Sequence, residues 1–158
     1  MAKSAVHVAS VRDTSGHVAS PVLASVFRVK EHLNALTNAI IGAALAIHDE
    51  LGPGLLESAY EACLTFELLQ RRLSIERQKA LPLTYRGQTL DCVYRLDLLV
   101  EGVVVVEVKA IEQIQRVHKA QLLSYLRLSR CKVGLLINFN VRWLVRDGVR
   151  RVVNGFPD

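Results

Sequence analysis

From Thr37 onward, Ile40, Ile41, Ala44, Leu45, Ile47, His48 and Leu51 recur at the three- and four-residue spacing that lines one face of a helix. Thr37 offers an N-cap hydroxyl, and Gly52-Pro53-Gly54 ends the segment. A second helix is predicted over residues 55–72, its stripe marked by Leu56, Tyr60, Cys63, Leu64, Glu67 and Leu68. The pattern then changes to strands. Residues 75–85 contain Pro82, which cannot donate to a ladder and so predicts an edge strand or an irregular pairing. Arg86-Gly87-Gln88 reads as a hairpin turn, and residues 89–100 return. Residues 103–109, Val-Val-Val-Val-Glu-Val-Lys, are β-branched and apolar on both alternating faces until their C-terminal end, as in a strand covered on both sides. A third helix over residues 116–129, a buried strand over 132–139 and a hairpin closing on Asp147-Gly148 complete the order ααβββαβββ. The fold class this predicts is α/β (α+β), a mixed central sheet with helices on both faces. Residues 1–30 show no clean period and are expected to form a loosely ordered arm without chemistry, leaving residues 31–158 as a single domain.

Successive strand side chains point to opposite faces, so Glu107 and Lys109 share a surface that Val106 and Val108 do not. Phosphodiester hydrolysis needs a hard divalent cation held by oxygens, and a positive group that orients water and offsets developing charge. A strand reaching solvent also turns polar at its end, so this pair alone decides nothing. Asp97 is an isolated acid within Leu96-Asp97-Leu98-Leu99-Val100, where burial requires a partner: a cation, or an ion pair with Arg95 or Lys109. A two-residue loop at Glu101-Gly102 would pair Val100 with Val103 and set Asp97 opposite Val106, on the wrong face. A three-residue loop, Val100-Glu101-Gly102, would pair Leu99 with Val103 and bring Asp97 onto the face of Glu107. The expectation is that loop, or a bulge of equal parity. Glu57 falls in the first turn of the second helix, where the backbone dipole favours an acid, and Tyr60 shares its face. On the third helix His118, Gln121 and Tyr125 stand at i, i+3 and i+7 and form a polar stripe. His48 has no second histidine at metal spacing and is read as a packed side chain.

The chain has 158 residues, enough for one core, and its 51% hydrophobic and 22% charged fractions are those of a compact domain rather than a disordered one. No apolar run approaches the roughly 18–20 residues of a membrane span, and the apolar stretch after Lys3 is broken by His7, Ser10, Arg12 and Asp13. A cytoplasmic protein without a membrane partner is the resulting expectation. Cys63, Cys92 and Cys131 lack the paired spacing of a zinc or iron–sulfur site and read as core thiols. The net charge of +5 suits a polyanionic partner, although many proteins that bind no nucleic acid share it.

The segment Gly54-Leu55-Leu56-Glu57-Ser58-Ala59-Tyr60 resembles the signature of the GxxExxY protein family, assigned to the PD-(D/E)XK (restriction-endonuclease-like) nuclease superfamily. The likeness continues through Leu51-Gly52-Pro53-Gly54, Tyr94-Arg95-Leu96-Asp97, Val106-Glu107-Val108-Lys109-Ala110, His118-Lys119-Ala120-Gln121 and Val133-Gly134-Leu135-Leu136-Ile137-Asn138-Phe139, covering residues 36–153. The family more often has an aromatic residue where Leu98 stands, on the face away from the site. The resemblance implies a metal-dependent nuclease in which Asp97 and Glu107 bind the ion, Lys109 is the superfamily lysine, Glu57 is the helical acid facing the same site and Gln121 is the glutamine of the next helix. Mg²⁺ or Mn²⁺ would be held by Asp97, Glu107 and the carbonyl of Val108, with Glu57 completing a shell. Tyr60, Arg95, His118 and Tyr125 would contact substrate. The implied partner is nucleic acid, DNA before RNA, and a homodimer is open because small nucleases of this fold often pair to reach both strands. Two rival readings keep the fold without cutting: a nucleic-acid-binding module and a protein-interaction module.

Overall fold

The computed structural model describes residues 21–155, with the side chains of residues 21 and 91–93 outside the description. Two helices come first, α1 (Pro21–Leu51) and α2 (Glu57–Gln70), followed by strands β1 (Ile75–Tyr85), β2 (Gln88–Val100) and β3 (Val104–Lys109). Helix α3 (Arg116–Ser129), strand β4 (Val133–Asn138), a π-helical turn (Leu144–Gly148) and strand β5 (Val149–Val153) follow among the described residues. The strands form one five-stranded sheet in the order β1-β2-β3-β4-β5. Neighbours are antiparallel except β3 and β4, which are parallel. A parallel pair cannot be closed by a tight turn, and α3 supplies the crossover.

The expected mixed sheet with helices on both faces is the one that forms. Leu36, Ile40 and Ala44 of α1 and Leu64 and Leu68 of α2 pack on Val104, Val106, Val108, Leu135 and Ile137. On the opposite face Leu122, Tyr125 and Leu126 of α3 cover Leu96, Leu99, Val105 and Leu136. Strands β3 and β4 feed alternate residues to both cores, which is why neither shows polar alternation. Each fully buried leucine, such as Leu122 or Leu135, contributes about 1.5–3 kcal/mol by leaving water. Pro82 lies on edge strand β1 where the β1–β2 register shifts, as its missing N–H requires.

Three sequence expectations are corrected. Helix α1 begins at Pro21, well before Thr37, so the last ten residues of the expected arm are helical and residues 1–20 lie outside the described residues. Thr37 is not an N-cap; its hydroxyl donates to the Asn34 carbonyl inside the helix, 3.0 Å away. The segment after β4 holds one strand, not two. Residues 144–148 instead wind into a π-turn, with the Val149 N–H donating to the Leu144 carbonyl. Leu144 is buried, and Gly148 lies so close to β4 that an added Cβ would sit 2.3 Å from the Asn138 carbonyl oxygen. A side chain there would push the turn off the sheet.

Candidate active site

The turn between β2 and β3 decides where the acids go. The Val103 N–H donates to the Val100 carbonyl at 3.1 Å, with Glu101 and Gly102 at φ 51° and 67°. Positive φ at both central positions matches the right-handed twist of the flanking strands. Glu101 also anchors the turn to the end of the α2–β1 connection: its N–H donates to the Ser74 carbonyl at 2.8 Å and its carboxylate accepts the Ser74 N–H at 2.5 Å. Pairing then starts at Val100 with Val104, and Leu98 faces Val106. The connection therefore comprises residues 101–103, one position along from the expected loop and of the same parity. Continuing this register sets Asp97 across from Glu107, with both carboxylates on one side.

Backbone pairing between β2 and β3 stops where the two acids meet, and their side chains take over. The Asp97 N–H donates to Glu107 Oε1 at 3.3 Å, and the Val108 N–H donates to Asp97 Oδ2 at 2.9 Å. Leu96 and Leu98 are two residues apart yet belong to opposite cores, so β2 turns over at Asp97. Opposite on β1, Gln78 has φ +47°, a conformation that costs a residue with a Cβ about 1–3 kcal/mol. Its amide nitrogen donates to Glu61 Oε2 at 2.8 Å and to Asp97 Oδ1 at 3.4 Å. Glu61 is also paired with Arg77, at 3.0 Å.

Glu107 is 3% exposed, and burial, reinforced by the charge of Asp97, pushes its carboxyl up to about 8. Lys109 opposes this shift from 3.7 Å. Asp97 is also raised, chiefly by burial, against the pull of the Val108 N–H and of Lys109. Two desolvated carboxylates facing one ammonium are short of positive charge, a deficit that a hard divalent cation relieves. The Val108 N–H points at Asp97, and the N–H and C=O of one strand residue project to the same side, so the Val108 carbonyl is directed toward the same edge. This donor set fits such an ion. Among the described residues no group of three Asp, Glu, His or Cys side chains converges into a ready cation site.

The other predicted residues divide into three groups. Glu57 accepts the Ala110 N–H at 3.0 Å and so borders the site just beyond Lys109, rather than joining the acid pair. Gln121 and Tyr125 do come together, the Gln121 amide donating to the Tyr125 hydroxyl at 2.7 Å, and the charges of Glu107, Lys109 and Asp97 all reach that hydroxyl. Burial is the main cause that raises the Tyr125 hydroxyl above its ordinary value. Tyr60 is not available to a substrate. It is fully buried, stacked on Phe139 with ring centroids 4.3 Å apart, and its hydroxyl donates to the Gly52 carbonyl and accepts the Leu55 N–H. His118 accepts the Gln115 N–H on Nδ1 at 3.0 Å, closing a capping box at the start of α3, which is a structural task. Arg95 is exposed on β2 opposite Ala80. His48 is packed, its Nε2 at 2.8 Å from the Val141 carbonyl, as its isolation in the sequence suggested. Cys131 is buried and Cys63 half-buried, both as free thiols; the Cys92 side chain lies outside the described residues.

Three polar residues that build the site carry weaker sequence signals. Glu61 lies four residues after Glu57, a spacing that puts both acids on one face of α2. Gln78 gives no signal, because its role depends on a strained backbone in a strand. Asn138, 1% exposed, clasps the exit of β3: it donates to the Ile111 carbonyl at 2.8 Å and accepts the Ile111 and Asn140 N–H groups at 3.0 and 3.2 Å.

A mixed sheet that carries two facing acids and a lysine where its central strands part is the layout of a carboxylate–lysine nuclease domain. Residues 34–152 match the family model of the PD-(D/E)XK nuclease superfamily, and the chain belongs to that superfamily. Neither a curated protein nor a solved structure gives a significant match. Among the described residues no helix is long and apolar enough to cross a membrane.

Proposed function

We propose that this chain hydrolyses phosphodiester bonds in nucleic acid with Mg²⁺ or Mn²⁺, as a member of the GxxExxY branch of its superfamily. The observation that carries this reading is the register that sets Asp97 across from Glu107 with Lys109 beside them. Asp97, Glu107 and the Val108 carbonyl would hold the cation, which, when bound, supplies Lewis acidity toward the phosphate oxygens. Lys109 places an ammonium beside the acids, where it orients water and offsets charge that develops on the phosphate. Gln78 fixes Asp97 from β1, and Asn138 and Glu57 fix the backbone on either side of Ala110.

The test is cleavage of single- and double-stranded DNA and RNA by the purified chain with Mg²⁺, Mn²⁺ or EDTA, alongside Lys109→Ala and Glu107→Ala. Metal-dependent cleavage that falls by about a hundredfold or more in each variant is expected, the scale of losing a charge-stabilising group. Undiminished cleavage in either variant overturns the mechanism. Nucleic-acid binding without Mn²⁺ binding or cleavage would replace it with the non-cutting module.

A further inference from the structure

A groove of about 430 Å³, within the size range of ligand sites, lies on the α3 side of the sheet. Leu83, Tyr94, Tyr125 and Leu128 give it an apolar lining, and Gln121 and Arg127 contribute polar ends. Tyr125 joins the groove to the acids, whose charges reach its hydroxyl. Tyr94 precedes Asp97 by three residues on β2, about 10 Å along a strand. Its ring rests on Tyr125 at 5.8 Å and 57°, which holds it while leaving Tyr94 37% exposed. One Gln121 amide N–H is committed to Tyr125, which leaves the second N–H and the amide oxygen to pair with the polar edge of a ligand.

The charge of the groove narrows its occupant. No Asp or Glu lines it among the described residues, and the exposed Arg127 guanidinium makes no hydrogen bond or ion pair among them. An apolar slot with a cation at its rim complements a flat ring carrying a phosphate. The β1–β2 hairpin extends the same surface. Tyr85 lies two residues from Leu83 and so on its face, 58% exposed, with the Arg86 guanidinium 5.4 Å above its ring. Aromatic rings interleaved with arginines are the platform on which unpaired bases stack. A duplex offers its phosphates outward and keeps its bases stacked inside, so it has nothing to place on Leu83 and Leu128.

We propose that this groove binds an unstacked nucleobase, and that the substrate class of the site is single-stranded or frayed nucleic acid; the link to cleavage rests on the nuclease reading above. Tyr94 is the stacking residue, Tyr125 its support, and Arg127 the phosphate contact on the same strand.

Binding measured without metal separates the two ideas. Fluorescence anisotropy of the full chain in EDTA, with a labelled single-stranded DNA, its duplex and an RNA of the same sequence, should give tighter binding to single strands. Tyr94→Ala should weaken single-strand binding by about tenfold or more, the scale of one lost base stack, while Tyr94→Phe retains it. Tyr85→Ala, an exposed change that leaves the groove intact, should weaken it less. Duplex binding equal to single-strand binding overturns the proposal, as does unchanged affinity in a folded Tyr94→Ala variant. If Tyr94-dependent single-strand binding is found but no metal-dependent cleavage, the nuclease reading falls and the groove stands.

Discussion

Replacing Glu107 by glutamine should make the metal-free protein more stable at neutral and alkaline pH. The folded chain holds the Glu107 proton until about pH 8, against an ordinary value of 4.5. Between those values the folded state binds more protons than the unfolded state, so stability falls as pH rises. Near pH 4.5 and below, the group is protonated in both states and contributes no penalty; above pH 8 the penalty is complete. At about 1.36 kcal/mol per pH unit, the interval corresponds to roughly 5 kcal/mol. Glutamine keeps the oxygen that accepts the Asp97 N–H and cannot ionise. Glu107→Gln is therefore expected to exceed the parent by about 3–5 kcal/mol at pH 8 and to match it near pH 4.5. Urea unfolding in EDTA at pH 5, 6.5 and 8, followed by circular dichroism, measures this directly. Asp97, also raised, leaves a smaller slope of the same sign in the variant. A parent whose stability is flat from pH 5 to 8, or a variant with an equally steep slope, refutes the reasoning.

Tyr60→Phe should cost about 1–3 kcal/mol, because it strands the Gly52 carbonyl and the Leu55 N–H. Thermal melting checks this, and no change in substrate affinity is expected from a ring that never meets solvent. Asn138→Ala removes three hydrogen bonds at the exit of β3 and should lower stability by about 2–4 kcal/mol in urea unfolding. Deleting Val103 changes the parity of the β2–β3 connection and should abolish Mn²⁺ binding in calorimetry, while a two-residue insertion at Gly102 should preserve it.

The centre of the sheet was readable in the sequence because burial on both faces leaves an unbroken apolar run, as in β3 and β4. Helix α3 was readable too, down to its ends at Arg116 and Ser129, since Leu122, Tyr125, Leu126 and Leu128 form an apolar stripe that packs on the sheet. The start of α1 was not: Val22, Leu23, Val26 and Phe27 do recur at helical spacing, but they stay exposed, and the Ser, Gly and Pro21 residues before them read as a loose arm. In the site, parity alone aligns Asp97 with Glu107, and parity is a local property of the turn. The roles of Gln78 and Glu61 depend on β1 meeting both α2 and β2, which no spacing records. Tyr60 misled for a similar reason: Phe139, the ring that occupies it, lies in a distant part of the chain.

Where β2 and β3 part, two amide protons are held by carboxylates instead of by a neighbouring strand. The amides of Asp97 and Val108 therefore sense directly whether Glu107 and Asp97 are charged, protonated or neutralised. In an ¹⁵N spectrum these two resonances should move with pH and with added Mg²⁺, while amides at the far end of the β3–β4 ladder, around Val104 and Val133, stay in place. The fold thus carries its own pair of spectroscopic gauges, one for each acid, readable without any substrate.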